Sequence, residues 1–329
     1  MNGIMNYTCD CHCDSVLNVV RGEGGTLVNE YNVSREGPFL QLFAAWTENG
    51  SGLCDRRASE FTGIEPSDIF KLAVKMVETV REKAPLENMT FCESTAEVLK
   101  ASSQGRNIAM ASMEGCGCVD TLEKLHYLRK LGVRFATLTW NPSNILASGC
   151  SATGTSEDRG LTDYGREFIK ECGKLGIAVD LSHASDKTMR DVLEEDCCAV
   201  FASHSNFREV CDHVRNLPPD VAEEIVNRGG FIGLNTYLPF VIEDVPFELY
   251  DAEMILHHVY YAADNGWLGS LGFGFDIDGV EAYARDVPLD RSIHDTYMKI
   301  LSENSCLHED TLRAIRGGNF FDFLERKIN

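Results

Sequence analysis

The chain has 329 residues, of which 44% are hydrophobic and 25% are charged, and its formal net charge is −21. So large an acidic excess argues against nonspecific binding to nucleic acid or to an anionic membrane surface. The length is long for an ordinary domain but usual for one α/β barrel, so we expect residues 1–329 to form a single domain.

The sequence shows no stretch typical of export or of membrane insertion. Residues 1–8 lack a basic segment followed by an apolar run, and no apolar run approaches the roughly 20 residues that a membrane helix needs. The thirteen cysteines are odd in number and lack Cys-x-x-Cys spacing, so we expect free and mostly buried thiols. These features predict a cytoplasmic protein without a membrane segment.

Strand-like and helix-like segments alternate along the chain, and no repeat or linker divides them. Hydrophobic runs predict eight strands, at Tyr7–Cys11, Gln41–Trp46, Ile108–Met113, Phe135–Thr139, Ile177–Leu181, Ala199–Ala202, Phe231–Asn235 and Leu271–Phe275. Amphipathic patterns predict helices between most of them, at Pro66–Glu82, Leu122–Leu131, Asp163–Leu175, Asp186–Leu193, Pro219–Asn227 and Ala252–Asn265. Four of these helices lead into a glycine that would end them, at Gly132, Gly176, Gly229 and Gly266.

Eight strands in βα alternation predict an α/β fold in which a single (β/α)8 barrel carries its chemistry at the C-terminal strand ends. An open, doubly wound sheet is the competing architecture. In such a sheet a glycine-rich phosphate loop typically follows the first strand, whereas this chain has the segment His12-Cys13-Asp14 there.

Residues of the metal-binding types stand at the ends of five predicted strands. One or two follow each of strands one, three, five, six and eight: His12, Asp14, Glu114, His183, His204 and Asp276. Because parallel barrel strands end at the same mouth, all six would converge there. Ionisable groups are seldom buried together unless they are paired or bind a metal, so the set predicts a metal site. His257 and His258 are expected on a helix face or in support of the ligands, and the other histidines are expected on solvated surfaces: His126, His213, His294 and His308.

The number of candidate ligands exceeds what one metal ion needs. A catalytic zinc takes three protein ligands and keeps an open position. Six ligands with a shared carboxylate fit two ions about 3.5–4 Å apart, a pair that lowers the pKa of a bridging water and polarises a carbonyl. Glu114, which comes from the middle of the set, is the natural shared carboxylate.

Along nearly its whole length the chain resembles the membrane (renal) dipeptidase family, peptidase family M19. The stretches that carry the resemblance are Asp10-Cys-His12-Cys-Asp14, Glu114-Gly115, Thr137-Leu-Thr-Trp-Asn141, Asp180-Leu-Ser-His183, Ser203-His-Ser-Asn206, Arg215-Asn-Leu217 and Gly274-Phe-Asp276-Ile-Asp278-Gly279. The resemblance implies a (β/α)8 barrel that holds two zinc ions per chain.

The resemblance also implies roles for individual residues. His12 and Asp14 would bind one zinc with Asp276 nearby, Glu114 would bridge, and the second zinc would be bound by His183 and His204. Asp276 would also move a proton from water to the leaving amine. In the substrate pocket, Arg215 would hold the terminal carboxylate of a dipeptide. Tyr237 resembles a tyrosine that lines the substrate pocket in the family.

The chain departs from the family pattern at one position. Mammalian members have a histidine, thought to stabilise the oxyanion, where this chain has Trp140. Asn141 is one candidate replacement as oxyanion donor, and the alternative is that Asn141 only caps the turn before Pro142.

The leading hypothesis is a zinc dipeptidase in which a water between two zinc ions attacks the scissile carbonyl. The first alternative is a related amidohydrolase that acts on another small amide. The second is a non-catalytic relative that binds peptide or metal, against which the complete ligand set argues. The sequence leaves the oligomeric state open, a homodimer included, and predicts a small dipeptide as the binding partner.

Overall fold

The computed structural model describes residues 7–27, 38–48, 51–280, 287, 292–304 and 306–328. Within these residues it contains nine strands: β1 Thr8–Asp10, β2 Phe39–Trp46, β3 Met89–Phe91, β4 Asn107–Glu114, β5 Phe135–Thr137, β6 Ala178–Asp180, β7 Val200–Phe201, β8 Ile232–Leu234 and β9 Leu271–Phe273. Eight of them correspond to the eight predicted strands.

All strand pairs are parallel, and the eight predicted strands form one barrel. Their order is β7-β6-β5-β4-β2-β1-β9-β8, and a bridge between Ala202 and Ile232 joins the two ends of this series. The barrel is therefore nearly closed, as predicted, and the alternative of an open sheet is wrong.

The short strand β3 was not predicted. It pairs with residues 107–109 of β4, whereas β5 pairs with residues 112–114, and β2 pairs along residues 108–114. Since a strand has only two edges, β3 and β5 share one edge of β4, with β3 covering the part nearer to its N-terminus.

Thirteen α-helices lie within the described residues: α1 Ser15–Val20, α2 Arg56–Thr62, α3 Ile69–Lys83, α4 Thr95–Ser103, α5 Leu122–Lys130, α6 Asp163–Leu175, α7 Asp186–Glu195, α8 Pro219–Asn227, α9 Leu238–Val241, α10 Leu256–Asp264, α11 Ile293–Asn304, α12 Glu309–Arg313 and α13 Asn319–Lys327. All six predicted helices are present, the last as a 3₁₀ turn, Ala252–Ile255, that leads into α10. The four predicted stop glycines all have a positive φ, the conformation that glycine adopts without strain.

The apolar residues form an inner and an outer cluster. The outer one contains strand residues and the helices that cover them, while the inner one combines residues of six strands, and Phe231 just before β8, with α13. Phe320 of α13 packs against Phe231 and Phe135, with ring centroids 5.1 Å and 6.1 Å apart. Because Phe135 and Phe231 stand at strand starts, α13 closes the end of the barrel opposite to the strand C-termini.

At the mouth of the barrel where the strands end, the last residues of neighbouring strands pair in register. Glu114, the last residue of β4, pairs in register with Trp46 of β2 and with Thr137 of β5, and Thr137 pairs with Asp180 of β6. Side chains that follow these positions therefore start from a common height. None of the helices in the described part of the chain combines the length and the apolar character needed to cross a bilayer.

Candidate metal centre

The six candidate ligands lie together at the level mouth of the barrel and are buried. Glu114 ends β4, His12 follows β1 by two residues, and each of the others stands a short distance beyond a strand end: Asp14, His183, His204 and Asp276. The structure thus brings together every residue that the sequence proposed as a ligand.

Glu114 stands between two groups of ligands, one on each of its carboxylate oxygens. Its Oε2 lies 3.2 Å from His12 Nε2, whereas its Oε1 lies 3.0 Å from His183 Nε2 and 3.9 Å from His204 Nε2. This arrangement suits a carboxylate that is shared by two cations.

The first group surrounds His12. Its Nε2 is 3.5 Å from Asp14 Oδ2 and 3.8 Å from Asp276 Oδ1, and one ligand atom from each of the three residues lies within 4.8 Å of the others. His12 also forms such a trio with Glu114 and His204, and its ring lies 3.9 Å from that of His204. Imidazole nitrogen and carboxylate oxygen are both ligand types that zinc takes in proteins.

The second group contains two imidazoles whose Nε2 atoms are only 2.9 Å apart. His183 Nδ1 lies 2.8 Å from the carbonyl oxygen of the Asn141 side chain, so this nitrogen is a donor and Nε2 is left as an acceptor. His204 Nδ1 lies 2.6 Å from Ser203 Oγ, which donates its own hydrogen to Asp180. Both Nε2 lone pairs therefore face each other and Glu114, an arrangement that a cation between them would stabilise.

Buried polar atoms of the centre have no hydrogen-bond partner in the described part of the chain. They are His12 Nε2, Asp14 Oδ1 and Glu114 Oε2. Buried polar groups are normally satisfied, so this concentration of lone pairs at one point is what a cation-binding site requires. The neighbouring Gly279 has no side chain, and a Cβ at that position would collide with the carboxylates of Asp14 and Asp276. The residues present therefore fit a divalent metal.

Burial and mutual charge perturb the titration of the centre. Burial raises the pKa of Asp276 to about 7, with the positive charge of His12 opposing it, and burial and the charge of Glu114 raise the pKa of Asp14 to about 6. Burial alone would lower the pKa of His12, but the surrounding carboxylates raise it well above the ordinary value. Neighbouring groups whose pKa values are pushed in different directions are typical of catalytic sites.

Burial lowers the pKa of His183 and of His204 well below the usual range, and the positive charges of Arg215 and His12 add to the effect. Both rings are therefore neutral at pH 7, which is the form of histidine that binds a metal.

Two further buried carboxylates, Asp180 and Asp10, accept hydrogen bonds from residues next to the ligands. Asp180 accepts hydrogen bonds from the backbone N–H groups of Ser182 and Ser203 and from the hydroxyls of Thr137 and Ser203. Asp10 Oδ1 accepts the backbone N–H groups of His12 and Phe275. These contacts fix the chain immediately beside His12, His204 and Asp276.

Some site residues have an unusual backbone conformation. His183, Asp276 and Asp278 have φ values of 65°, 61° and 68°, in the left-handed region that residues with a side chain rarely adopt. Such strain costs roughly 1–3 kcal/mol per residue and is concentrated at functional sites.

Arg215 lies beside the centre, buried to 3% exposure, without an ion-pair partner among the described residues. The hydrogen bonds of its guanidinium group are long. Nη1 donates to Ser205 Oγ at 3.3 Å, Nη2 donates to the His204 carbonyl at 3.4 Å, and Nε has no acceptor. The guanidinium also packs over the Phe240 ring at 5.3 Å. A buried cation in this condition can accept an anionic ligand.

A cavity of about 490 Å³ opens above the ligands. Its lining includes Glu114, His183 and Asp276 together with the three predicted substrate-binding residues Asn141, Arg215 and Tyr237. A cavity of this size is in the usual range for a small-molecule site.

The structure adds contacts that the sequence did not predict. Asn141 contacts His183 Nδ1, a role that neither the oxyanion hypothesis nor the turn-capping alternative included. Asn235 donates to Asp276 Oδ2 at 3.1 Å and so orients that carboxylate. Asn235 lies two residues before Tyr237, and its position just after β8 was the only signal in the sequence. His294, expected at the surface, is buried edge-on against Phe275, because α11 covers the end of β9.

Similar proteins were found among both curated sequences and solved structures. An uncharacterized dipeptidase of Schizosaccharomyces pombe is 32% identical over 258 residues, which cover 74% of this chain and 60% of that protein. A second uncharacterized dipeptidase of the same organism is 32% identical over 190 residues, which cover 57% of this chain and 45% of that protein. The chain thus spans about half of the length of these two relatives.

Two solved structures share the fold over almost all of this chain. A metallopeptidase of Rhodobacter sphaeroides, liganded with a phosphinate mimic of the dipeptide L-Ala-D-Ala, has a TM-score of 0.81 at 23% identity and covers 97% of this chain and 99% of its own. The dipeptidase AC, a metallopeptidase of family M19, has a TM-score of 0.82 at 22% identity and covers 98% of this chain and 99% of its own. At these identities the likeness is one of fold.

The model of one protein family matches the chain over residues 41–327, which include four of the six candidate ligands. The matched range runs from β2 through α13 and so contains nearly the whole barrel. The chain therefore belongs to the membrane dipeptidase family, peptidase family M19.

Proposed function

We propose that the protein is a zinc-dependent dipeptidase that hydrolyses dipeptides with a free C-terminal carboxylate. The observation that carries the proposal is the shared carboxylate of Glu114 between two ligand groups, with the unpaired guanidinium of Arg215 at its side. The phosphinate mimic of a dipeptide in the Rhodobacter sphaeroides metallopeptidase supports a substrate of this class.

Two zinc ions would be held by the two ligand groups. His12, Asp14 and Asp276 would bind one, His183 and His204 would bind the other, and Glu114 would contact both. Bound zinc would supply Lewis-acid chemistry, lowering the pKa of a water and polarising the scissile carbonyl.

Asp276 is suited to carry a proton between the attacking water and the leaving amine. Its Oδ2 is held by the Asn235 amide at 3.1 Å, and burial raises its pKa to about 7. A general acid–base group works best when its pKa lies near the working pH, because it then both accepts and releases the proton readily. Asn235 fixes the direction of the carboxylate during both transfers.

Arg215 would bind the C-terminal carboxylate and so set the length of the substrate. A guanidinium remains charged when buried and pairs with a carboxylate through two parallel hydrogen bonds. A tripeptide cut after its first residue would place an amide there and leave the buried cation unpaired, a defect that costs on the order of 2–5 kcal/mol.

The test compares a dipeptide, its C-terminal amide and the matching tripeptide on the zinc-loaded wild type. We expect kcat/KM to favour the free dipeptide by about tenfold or more, since each 1.4 kcal/mol is a factor of ten. The variant Arg215→Ala should lose most of this preference by losing activity on the dipeptide. Arg21→Ala is a matched control, because Arg21 lines the same cavity but is bound to Asp55 at 2.8 Å. If the wild type cleaves the dipeptide and its C-terminal amide equally well, Arg215 does not bind the substrate carboxylate.

An amidohydrolase that acts on another small amide is the second candidate. The buried, unpaired Arg215 argues for substrates that carry a carboxylate, so acylated amino acids are the amides to include in the assay. A non-catalytic relative is disfavoured by the complete ligand set and by the Asn235 contact to Asp276, a contact that orients a proton carrier.

A further inference from the structure

An aromatic wall, formed by Trp46 and Trp140, stands beside Glu114 at the mouth of the barrel. Trp46 is the last residue of β2 and pairs in register with Glu114, while Trp140 follows β5 by three residues. The two rings meet edge to face with centroids 5.5 Å apart and an interplanar angle of 79°. Both side chains are partly exposed and line the cavity.

Hydrogen bonds to Glu48 fix the backbone that carries this aromatic wall. The backbone N–H of Trp140 donates to Glu48 Oε2 at 3.0 Å, and Glu48 Oε1 accepts the N–H of Gly117 and the side-chain amide of Asn144, both at 2.6 Å. Glu48 therefore joins the segments that follow β2, β4 and β5. A surface fixed in this way loses little conformational freedom when a ligand packs against it.

By strand order, Trp46 of the aromatic wall and Arg215 belong to opposite sides of the barrel mouth. Around the barrel the strands run β8-β7-β6-β5-β4-β2-β1-β9. Arg215 lies in the connection from β7 to β8, and halfway around the ring from that seam are β4 and β2, which end in Glu114 and Trp46. A dipeptide whose carboxylate is bound by Arg215, with its peptide bond above the cluster, would extend its N-terminal residue towards the aromatic wall.

We propose that the aromatic wall is the binding surface for the side chain of the substrate's N-terminal residue, and that the enzyme prefers dipeptides with a large apolar residue there. This inference rests on the proposed dipeptidase function. The indole faces offer apolar area and no ionised group. Of the two charged lining residues nearby, Arg21 is bound to Asp55 through two contacts, of 2.8 Å and 3.1 Å, and Asp278 follows β9, two strands away from β2.

The experiment uses the zinc-loaded chain of 329 residues and two substrate series. In the first the N-terminal residue is Gly, Ala, Leu, Phe or Lys with Ala after it, and in the second Ala comes first and the C-terminal residue varies. We expect kcat/KM for Leu-Ala and Phe-Ala to exceed that for Gly-Ala and Lys-Ala by about tenfold or more, because a single methylene in an apolar pocket already changes kcat/KM by about tenfold or more. Trp46→Ala should lose most of this preference, and Trp46→Phe should keep most of it.

The second series is the internal control, since a change confined to Trp46 should leave the ranking of C-terminal residues as in the wild type. Trp46 is chosen over Trp140, whose ring lies 6.1 Å from that of the ligand His183. Should Trp46→Ala fail to fold, Trp46→Gln, which keeps much of the volume but not the apolar surface, takes its place with the same expectation. A wild type without an N-terminal preference, or a variant that keeps it, overturns the inference while dipeptide hydrolysis continues to support the function. A loaded protein that cleaves no member of either series overturns the proposed function itself.

Discussion

The contact between Ser203 and His204 offers a sharp test of how the second group of ligands is held. Ser203 Oγ lies 2.6 Å from His204 Nδ1 and donates to Asp180 Oδ2 at 2.5 Å. Ser203→Ala leaves the N–H of a fully buried imidazole without an acceptor, which costs about 1–3 kcal/mol. Loss of such a supporting contact typically lowers metal affinity about 10–100-fold, so we expect one of two bound metals to dissociate at correspondingly lower chelator concentrations.

Thr137→Val is the matched control for this variant. Thr137 Oγ1 donates to the same oxygen of Asp180 at 2.7 Å, but the described structure shows no contact between Thr137 and His204. Each variant removes one hydroxyl donor from Asp180, whereas only Ser203→Ala removes the acceptor of His204 Nδ1. The assay is metal content during chelator titration, with thermal unfolding of the metal-free proteins as the measure of structural damage. Equal loss of metal in the two variants, or wild-type retention in Ser203→Ala, would refute the reasoning.

Further predictions concern the metals, the proton carrier and the thiols. Protein purified without chelator should contain about two divalent ions per chain, since six ligands exceed the needs of one zinc, and elemental analysis that finds one tightly bound ion with full activity would contradict this. Glu114→Gln should remove more metal and more activity than His183→Ala, because a shared carboxylate serves both ions; equal loss of one ion in each would argue against sharing. Asp276→Asn should retain much of the metal but lower kcat by about 10²–10⁴-fold, and near-normal turnover would exclude it as proton carrier. Thiol titration of denatured, unreduced protein should approach all thirteen cysteines, and a stable set of bridges would overturn the expectation of a reducing compartment.

The fold was predictable where local sequence carries the information. The pattern of hydrophobic residues located all eight barrel strands, and glycines marked helix ends at Gly132, Gly176, Gly229 and Gly266. The elements that were missed depend on tertiary context. The helix α13 has an apolar face because it plugs the barrel, and the three-residue strand β3 exists because the first part of β4 leaves an edge open.

The candidate site was predictable in its ligands but not in its supporting contacts. A histidine or carboxylate at a strand end is visible in a sequence, and the structure gathers all six. The contacts of Asn141, Ser203 and Asn235 depend on which strands are neighbours and at what height they end, which spacing along the chain does not encode. The predictions of a single domain over residues 1–329, of a cytoplasmic location and of a homodimer stay predictions.

The barrel topology explains why Glu114 is the residue shared by both groups. The first group comes from the neighbouring strands β1 and β9, and the second comes from the neighbouring strands β6 and β7. Each pair is joined at its end by one buried carboxylate, because Asp10 accepts backbone N–H groups beyond β1 and β9, and Asp180 accepts those beyond β6 and β7.

The strand β4 is separated from β1 by β2 alone and from β6 by β5 alone. A side chain at the end of β4 is therefore equally far from both pairs, and it points its two oxygens at two groups that are each already fixed by a carboxylate of their own. An aspartate at this position would start from the same backbone but be one methylene shorter. We therefore expect a carboxylate at residue 114 to serve both groups only with the reach of glutamate.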